Sequence, residues 1–194
     1  TNNVRFGSNA GNSIASGATR NTLIGDEAGT AITTGDFNVA LGYAALDAED
    51  AGSRATALGY FALSAQNTDT DSYNVAVGFT AGEAITTGIR NTIVGGLAGD
   101  AITDADNNVV LGYAALSADT KGSNSVALGG GALGSQNFTS ATDAYNTAVG
   151  HNAGILITTG LANTLVGGLA GDALTDADDN VAIGYLALTS DTLG

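Results

Sequence analysis

The chain has no cysteine, no proline and a single histidine, and only five of its 194 residues are basic. Without cysteine there is neither a disulfide framework nor thiol chemistry, which fits an extracellular or virion setting. Five Lys and Arg against nineteen Asp and Glu leave a formal net charge of −14. No basic patch is available to meet phosphates, which argues against nucleic acid and against anionic membrane surfaces. The excess charge serves solubility. No stretch approaches the ~20 apolar residues of a membrane-spanning helix, so no membrane insertion is expected of this segment. Aromatic residues make up only 6%. Glycine, by contrast, is abundant at 29 residues, together with Ala, Val, Leu and Ile.

The glycines are periodic. A landmark glycine recurs at Gly7, Gly25, Gly42, Gly59, Gly78, Gly95, Gly112, Gly129, Gly150, Gly167 and Gly184. Seven of the ten gaps are 17 residues, and the others are 18, 19 and 21. One short period along a whole chain marks a repeat architecture. Residues 1–194 therefore read as a single solenoid domain, expected to be an excerpt of a longer fibre.

Four residues before the landmark, Asn stands in nine of eleven copies, with Ala55 and Ser125 in the other two. Asn tolerates left-handed backbone and bonds neighbouring backbone, so stacked copies predict an amide ladder. Three before the landmark stands Val or Thr; one before stands Phe, Ile, Leu or Val. Alternation puts these two on one face of a strand, and their β-branched bias supports a strand. This face is expected to point inward. The residue between them is Leu23, Ala40, Ala57, Ala76, Ile93, Val110, Ala127, Ala148, Leu165 or Ala182, and only Arg5 breaks the apolar series. A strand apolar on both faces needs cover on both sides. These ten residues are accordingly the candidate subunit interface. The glycine itself suggests a corner that excludes a Cβ, and the Ala three residues later in every copy suggests room for one methyl group.

A pattern of four copies overlies the single repeat. Four residues after the landmark the chain reads Gly, Gly, Leu, Leu in cycles. Where that position is Gly, the residue seven after the landmark is Ile or Leu; where it is Leu, that residue is Glu49, Gln66, Asp119, Gln136 or Asp191. Each turn thus carries one large apolar plug from one of two positions. A missing plug would leave a cavity costing about 2–5 kcal/mol. The arm is expected to alternate between two conformations to accommodate the swap. The longest arms follow the fourth turn of each set, and long arms on solenoids are where binding loops fall.

Little in the chain points to catalysis, and no enzyme or cofactor is expected. His151 sits at a variable corner, and the carboxylates lie mostly on variable arms. Asp104 with Asp106, and Asp176 with Asp178, place hard oxygens at alternate positions and are the candidate Ca²⁺ ligands, although solvated acidic loops are the favoured reading. Tyr43, Tyr60 and Phe79 occupy one position on consecutive turns, about 4.8 Å apart. With Gln66, Asn67, Gln136, Asn137 and Phe138 of the long arms, they are the candidate ligand contacts.

The unit N-[VT]-x-[VIL]-G-x-x-A resembles the head repeat of YadA-like trimeric autotransporter adhesins. Asn124-Ser125-Val126-Ala127-Leu128-Gly129 and Asn180-Val181-Ala182-Ile183-Gly184 carry the resemblance most closely. Asn21-Thr22-Leu23-Ile24-Gly25 and the Ile-Thr-Thr-Gly arms at 32–35 and 85–88 are similar to phage tail-fibre repeats of the same type. The resemblance implies a left-handed parallel β-roll, homotrimeric, in a fibre at the cell surface or on a virion. A surface glycan or host receptor would be its partner. The fold class expected is therefore all-β, a parallel β-solenoid of about 17 residues per turn and eleven turns. Its alternative role is a self-assembling extracellular filament subunit with no specific ligand.

Overall fold

The computed structural model describes residues 2–15, 17–192 and 194. Among them there is no helix. The elements are thirteen short strands: β1 (Val4–Phe6), β2 (Thr22–Ile24), β3 (Val39–Leu41), β4 (Thr56–Leu58), β5 (Val75–Val77), β6 (Thr92–Val94), β7 (Val109–Leu111), β8 (Gly122–Ser123), β9 (Val126–Leu128), β10 (Thr142–Asp143), β11 (Thr147–Val149), β12 (Thr164–Val166) and β13 (Val181–Ile183). Eleven of them form one parallel sheet in sequence order, β1 to β7, then β9 and β11 to β13. Strands β8 and β10 pair separately. The chain is a parallel β-solenoid, one turn per copy of the repeat. Eleven turns at about 4.8 Å give a rod about 50 Å long.

Register is fixed residue for residue. Thr22 faces Val39, Leu23 faces Ala40 and Ile24 faces Leu41, and the same alignment recurs at each step. Each repeat position therefore forms a column along the rod. The landmark glycines form the tightest one, with φ between +128° and +143°. A Cβ built on Gly95 would lie 2.5 Å from the carbonyl oxygen of Gly112. Both the backbone angle and the close approach of the next turn require glycine.

The expectation for the strand faces is reversed. Leu23, Ala40, Ala57, Ala76, Ile93, Val110, Ala127, Ala148, Leu165 and Ala182 all point into the solenoid and are buried within the single chain. They are core, and no partner chain can cover them. The flanking Val/Thr and Phe/Ile/Leu/Val positions face outward. The bore is narrow, so most inward residues are Ala. The large ones, Leu23, Ile93 and Leu165, lie in turns whose corner is Gly29, Gly99 or Gly171. A Cβ on Gly29 would stand 2.9 Å from Leu23 Cδ2, and one on Gly171 2.7 Å from Leu165 Cδ2.

The plug swap is realised in the packing. Ile32, Ile85, Ile102, Ile157 and Leu174 are fully buried in one type of turn, and Leu46, Leu63, Leu116 and Leu133 in the other. The corner that carries the swap keeps one backbone angle in both types: φ is +52° at Gly99 and +49° at Leu116. The two arms differ there by side chain rather than by backbone course. A leucine held in the left-handed region costs about 1–2 kcal/mol, offset by the core volume it fills.

Buried polar ladders hold the turns in register. Asn38, Asn91, Asn108 and Asn163 each donate a backbone N–H to the side-chain oxygen of the Asn one turn earlier, at 2.8–2.9 Å. Their Nδ2 groups donate to the carbonyls of Gly52, Ala105, Gly122 and Ala177. At Ala55 and Ser125 the missing amide is supplied by Gln66 and Gln136. Each accepts at Oε1 from the next Asn, Asn74 or Asn146, at 2.8 Å. Each donates to a buried carboxylate on the turn before, Glu49 or Asp119. Glu49 also accepts from the backbone N–H groups of Gly52 and Thr68, and Asp119 from those of Gly122 and Phe138. A second ladder stands six residues before the landmark. Asp106 accepts from Ile89 N–H and Asp178 from Leu161 N–H, while Asp36 and Asp106 donate backbone N–H to the hydroxyls of Ser53 and Ser123.

Candidate interaction surface

The outward face of the eleven-stranded sheet carries two unbroken columns without charge, one wholly apolar and one of Val and Thr. One is Val or Thr on every turn; the other runs Phe6, Ile24, Leu41, Leu58, Val77, Val94, Leu111, Leu128, Val149, Val166 and Ile183. None of these residues is charged, on a chain of net charge −14. Most of them are half-buried between neighbouring turns, as at Ile24, Leu58, Val77 and Val166, while Leu41 and Leu111 in the middle of the sheet are exposed at 46% and 51%. The face left outside is thus the opposite of the expected one.

The corner just after the strand bears the aromatic candidates. Tyr43 stacks on Tyr60 with ring centroids 5.4 Å apart, and Tyr60 on Phe79 at 5.2 Å and 5° between planes. Phe61 meets Tyr43 and Tyr60 edge-on. The three stacked rings are exposed, but their faces are turned to one another, so they offer mainly edges. Stacking stabilises the rings as a unit, by about 0.5–1.5 kcal/mol per pair. The Glu27 carboxylate beside the Tyr43 hydroxyl holds that phenol above its ordinary pKa. Further along the same column, Tyr113 and His151 lean over Gly96 and Gly130 of the preceding turns.

The long-arm candidates divide. Asn67 and Asn137 are exposed and are tied to the next turn by their backbone N–H groups, bonded to the carbonyls of Thr86 and Thr158. Gln66 and Gln136 are fully buried and Phe138 nearly so, so these three are not ligand contacts. The glutamines are spent on the Asn ladder. Phe138 packs against Gly122, where an added Cβ would meet its Cδ2 at 2.7 Å. The tell-tale in the sequence is that each Gln coincides with loss of the ladder Asn on its own turn.

The candidate calcium residues are employed otherwise. Asp106 and Asp178 cap backbone N–H groups. Asp104 accepts from Thr103 Oγ1 and lies 3.5 Å from Lys121 Nζ; Asp176 accepts from Thr175 Oγ1. Among the described residues, no group of three or more His, Cys, Asp or Glu converges as a metal site would require.

One corner escaped the sequence reading. Five residues before the landmark, consecutive turns place Arg20, Phe37, Arg54, Tyr73 and Arg90, all exposed. The Arg20 and Arg54 guanidinium carbons each lie 5.2 Å from the Phe37 ring centroid, and that of Arg54 lies 5.8 Å from that of Tyr73. Searches of family models, curated proteins and solved structures find no match to this chain.

Proposed function

We propose that the chain is a structural and adhesive fibre segment that associates with copies of itself, as a homotrimer, outside the cell or on a virion. In this reading the outward sheet face is the surface between copies, and the rod's corners are left to meet a host or other surface. The observation that carries the reading is the uncharged, largely apolar face of a strongly acidic chain. Like-charged copies associate most readily where neither brings charge to the contact. The face is three residues across and eleven turns along, so its area is about 500 Å², against the ~800 Å² each partner contributes to a standard interface. A single contiguous patch of this size is often functional.

Light scattering tests the association. A mass of three chains is expected for the wild type. Leu111→Asp combined with Val94→Asp, which puts two carboxylates on the face without touching the core, is expected to give single chains with unchanged circular dichroism. A wild type that stays a single chain at tens of micromolar removes the assembly. The alternative, a filament subunit without a ligand, is favoured if the rod assembles end to end and binds no surface component.

A further inference from the structure

The corner five residues before the landmark is occupied by Arg20, Phe37, Arg54, Tyr73 and Arg90 on five consecutive turns. All five residues have left-handed backbone, with φ between +51° and +63°. Asn and Gly suit such a position best; further along it is held by Asn107, Asn124, Tyr145, Ala162 and Asp179. The left-handed angle belongs to the corner itself, so what distinguishes these five turns is the chemistry of the side chains placed there.

The charge distribution is uneven. Three of the chain's five basic residues stand in this one column, against nineteen acidic residues in the whole chain. Arg54 pairs with Asp71, which also accepts from the Tyr73 hydroxyl at 3.4 Å. Arg20 and Arg90 form no ion pair among the described residues. Arg20 lies over Phe37, and Arg90 donates from Nε to Asn107 Oδ1 at 2.8 Å. Two guanidinium groups thus stay exposed and unneutralised although carboxylates are plentiful. The planar fork of arginine matches a carboxylate or sulfate two bonds at a time.

The geometry points to a binding site for a linear acidic polysaccharide, running along the rod axis over this column. The arginines recur on every second turn, about 9.6 Å apart. That spacing is comparable to the interval between acid groups on a chain acidic at every second sugar. Phe37 and Tyr73 lie between them; guanidinium groups of the turns on either side stand over Phe37, whereas among the described residues Tyr73 has only Arg54 beside it, so the apolar face of the intervening sugar would pack on Tyr73. The inference rests on the reading of the rod as a presenting element, but it does not require the sheet face to be occupied.

The test uses the full chain with a hyaluronan decasaccharide as probe and chitopentaose as the neutral control, measured by isothermal titration and by surface plasmon resonance. Binding of the acidic probe alone is expected, weakening as NaCl rises from about 0.05 to 0.5 M. Arg20→Gln with Arg90→Gln is expected to weaken it about tenfold or more, with unchanged circular dichroism. Tyr73→Leu, which leaves every charge in place, is expected to weaken it about three- to tenfold. Absence of binding, equal binding of chitopentaose, or affinity indifferent to the arginine pair overturns the proposal. So does a change in oligomer mass without any glycan binding, which would make the column a contact between copies. A single-chain wild type that binds the probe keeps this inference while removing the self-association proposed above.

Discussion

The plug swap gives the sharpest test of the packing argument, through a cycle at Gly99 and Ile102. Ile102 is fully buried, so Ile102→Ala should cost about 2–5 kcal/mol. Gly99→Leu alone meets Ile102 Cδ1 at 3.0 Å and Ile93 Cδ1 at 3.2 Å from its new Cβ, at φ +52°. Left-handed strain of about 1–2 kcal/mol and overpacking of about 1–3 kcal/mol then add up to about 2–5 kcal/mol. Independent effects would sum to about 4–10 kcal/mol. The double variant instead rebuilds the arrangement of Leu116, with the new leucine filling the space that Ile102 vacates. Only the backbone strain and a small misfit at Ile93 should remain, about 1–3 kcal/mol in all. Urea unfolding followed by far-ultraviolet circular dichroism reads the cycle. Turns contact only their neighbours, so unfolding need not be two-state, and the order of midpoints is the criterion. A double variant no more stable than Ile102→Ala alone would refute the swap.

Gly95→Ala should lower the melting temperature far more than Gly184→Ala. Both have positive φ, but the first pushes a methyl to 2.5 Å from Gly112 O, whereas the second meets nothing closer than 4.0 Å; thermal melts of the two variants side by side decide this. Asn91→Ala strips a partner from Asn108 N–H and from the Ala105 carbonyl, at about 1–3 kcal/mol for each buried group left unpaired, read by the shift in urea midpoint. Burial raises the Glu49 pKa above its ordinary value, against the opposing bonds from Gln66, Gly52 and Thr68. The folded state therefore holds this proton more tightly than the unfolded one, and stability falls as pH rises from the unfolded pKa through the folded one. Melting temperature should increase on acidification across that window, with a smaller slope in Glu49→Gln; equal slopes would deny Glu49 that role.

The period, the landmark glycine, the Asn ladder and the exchange of plugs were all legible as fixed spacings, because a solenoid converts spacing directly into neighbours. The sign of the strand was not. Alternation says that Val39 and Leu41 share a face and Ala40 has the other, but with both faces apolar it does not say which is inside. Two clues favoured the observed answer: Thr at positions 22, 56 and 92 carries a hydroxyl suited to an outer face, and Leu23, Ile93 and Leu165 appear only beside a Gly corner. The roles of Gln66 and Gln136 were hidden for a different reason. They serve a neighbouring turn, so they look like loop polarity until Ala55 and Ser125 are seen to make room for them. The arginine–aromatic column was missed because its members differ in type from turn to turn, and a search for repeated residues passes over them.

The glycine column also acts as a ruler. Successive turns touch backbone to backbone there, so the axial step is set by main-chain atoms that no side-chain exchange can alter. Two rods lying side by side then meet as two gratings of equal pitch. Sliding one by a single turn, about 4.8 Å, restores the backbone lattice, but only a slide of four turns, about 19 Å, restores the pattern of plugs and long arms. Lateral stagger in any bundle of such rods would be quantised, with the coarse step set by the four-turn cycle.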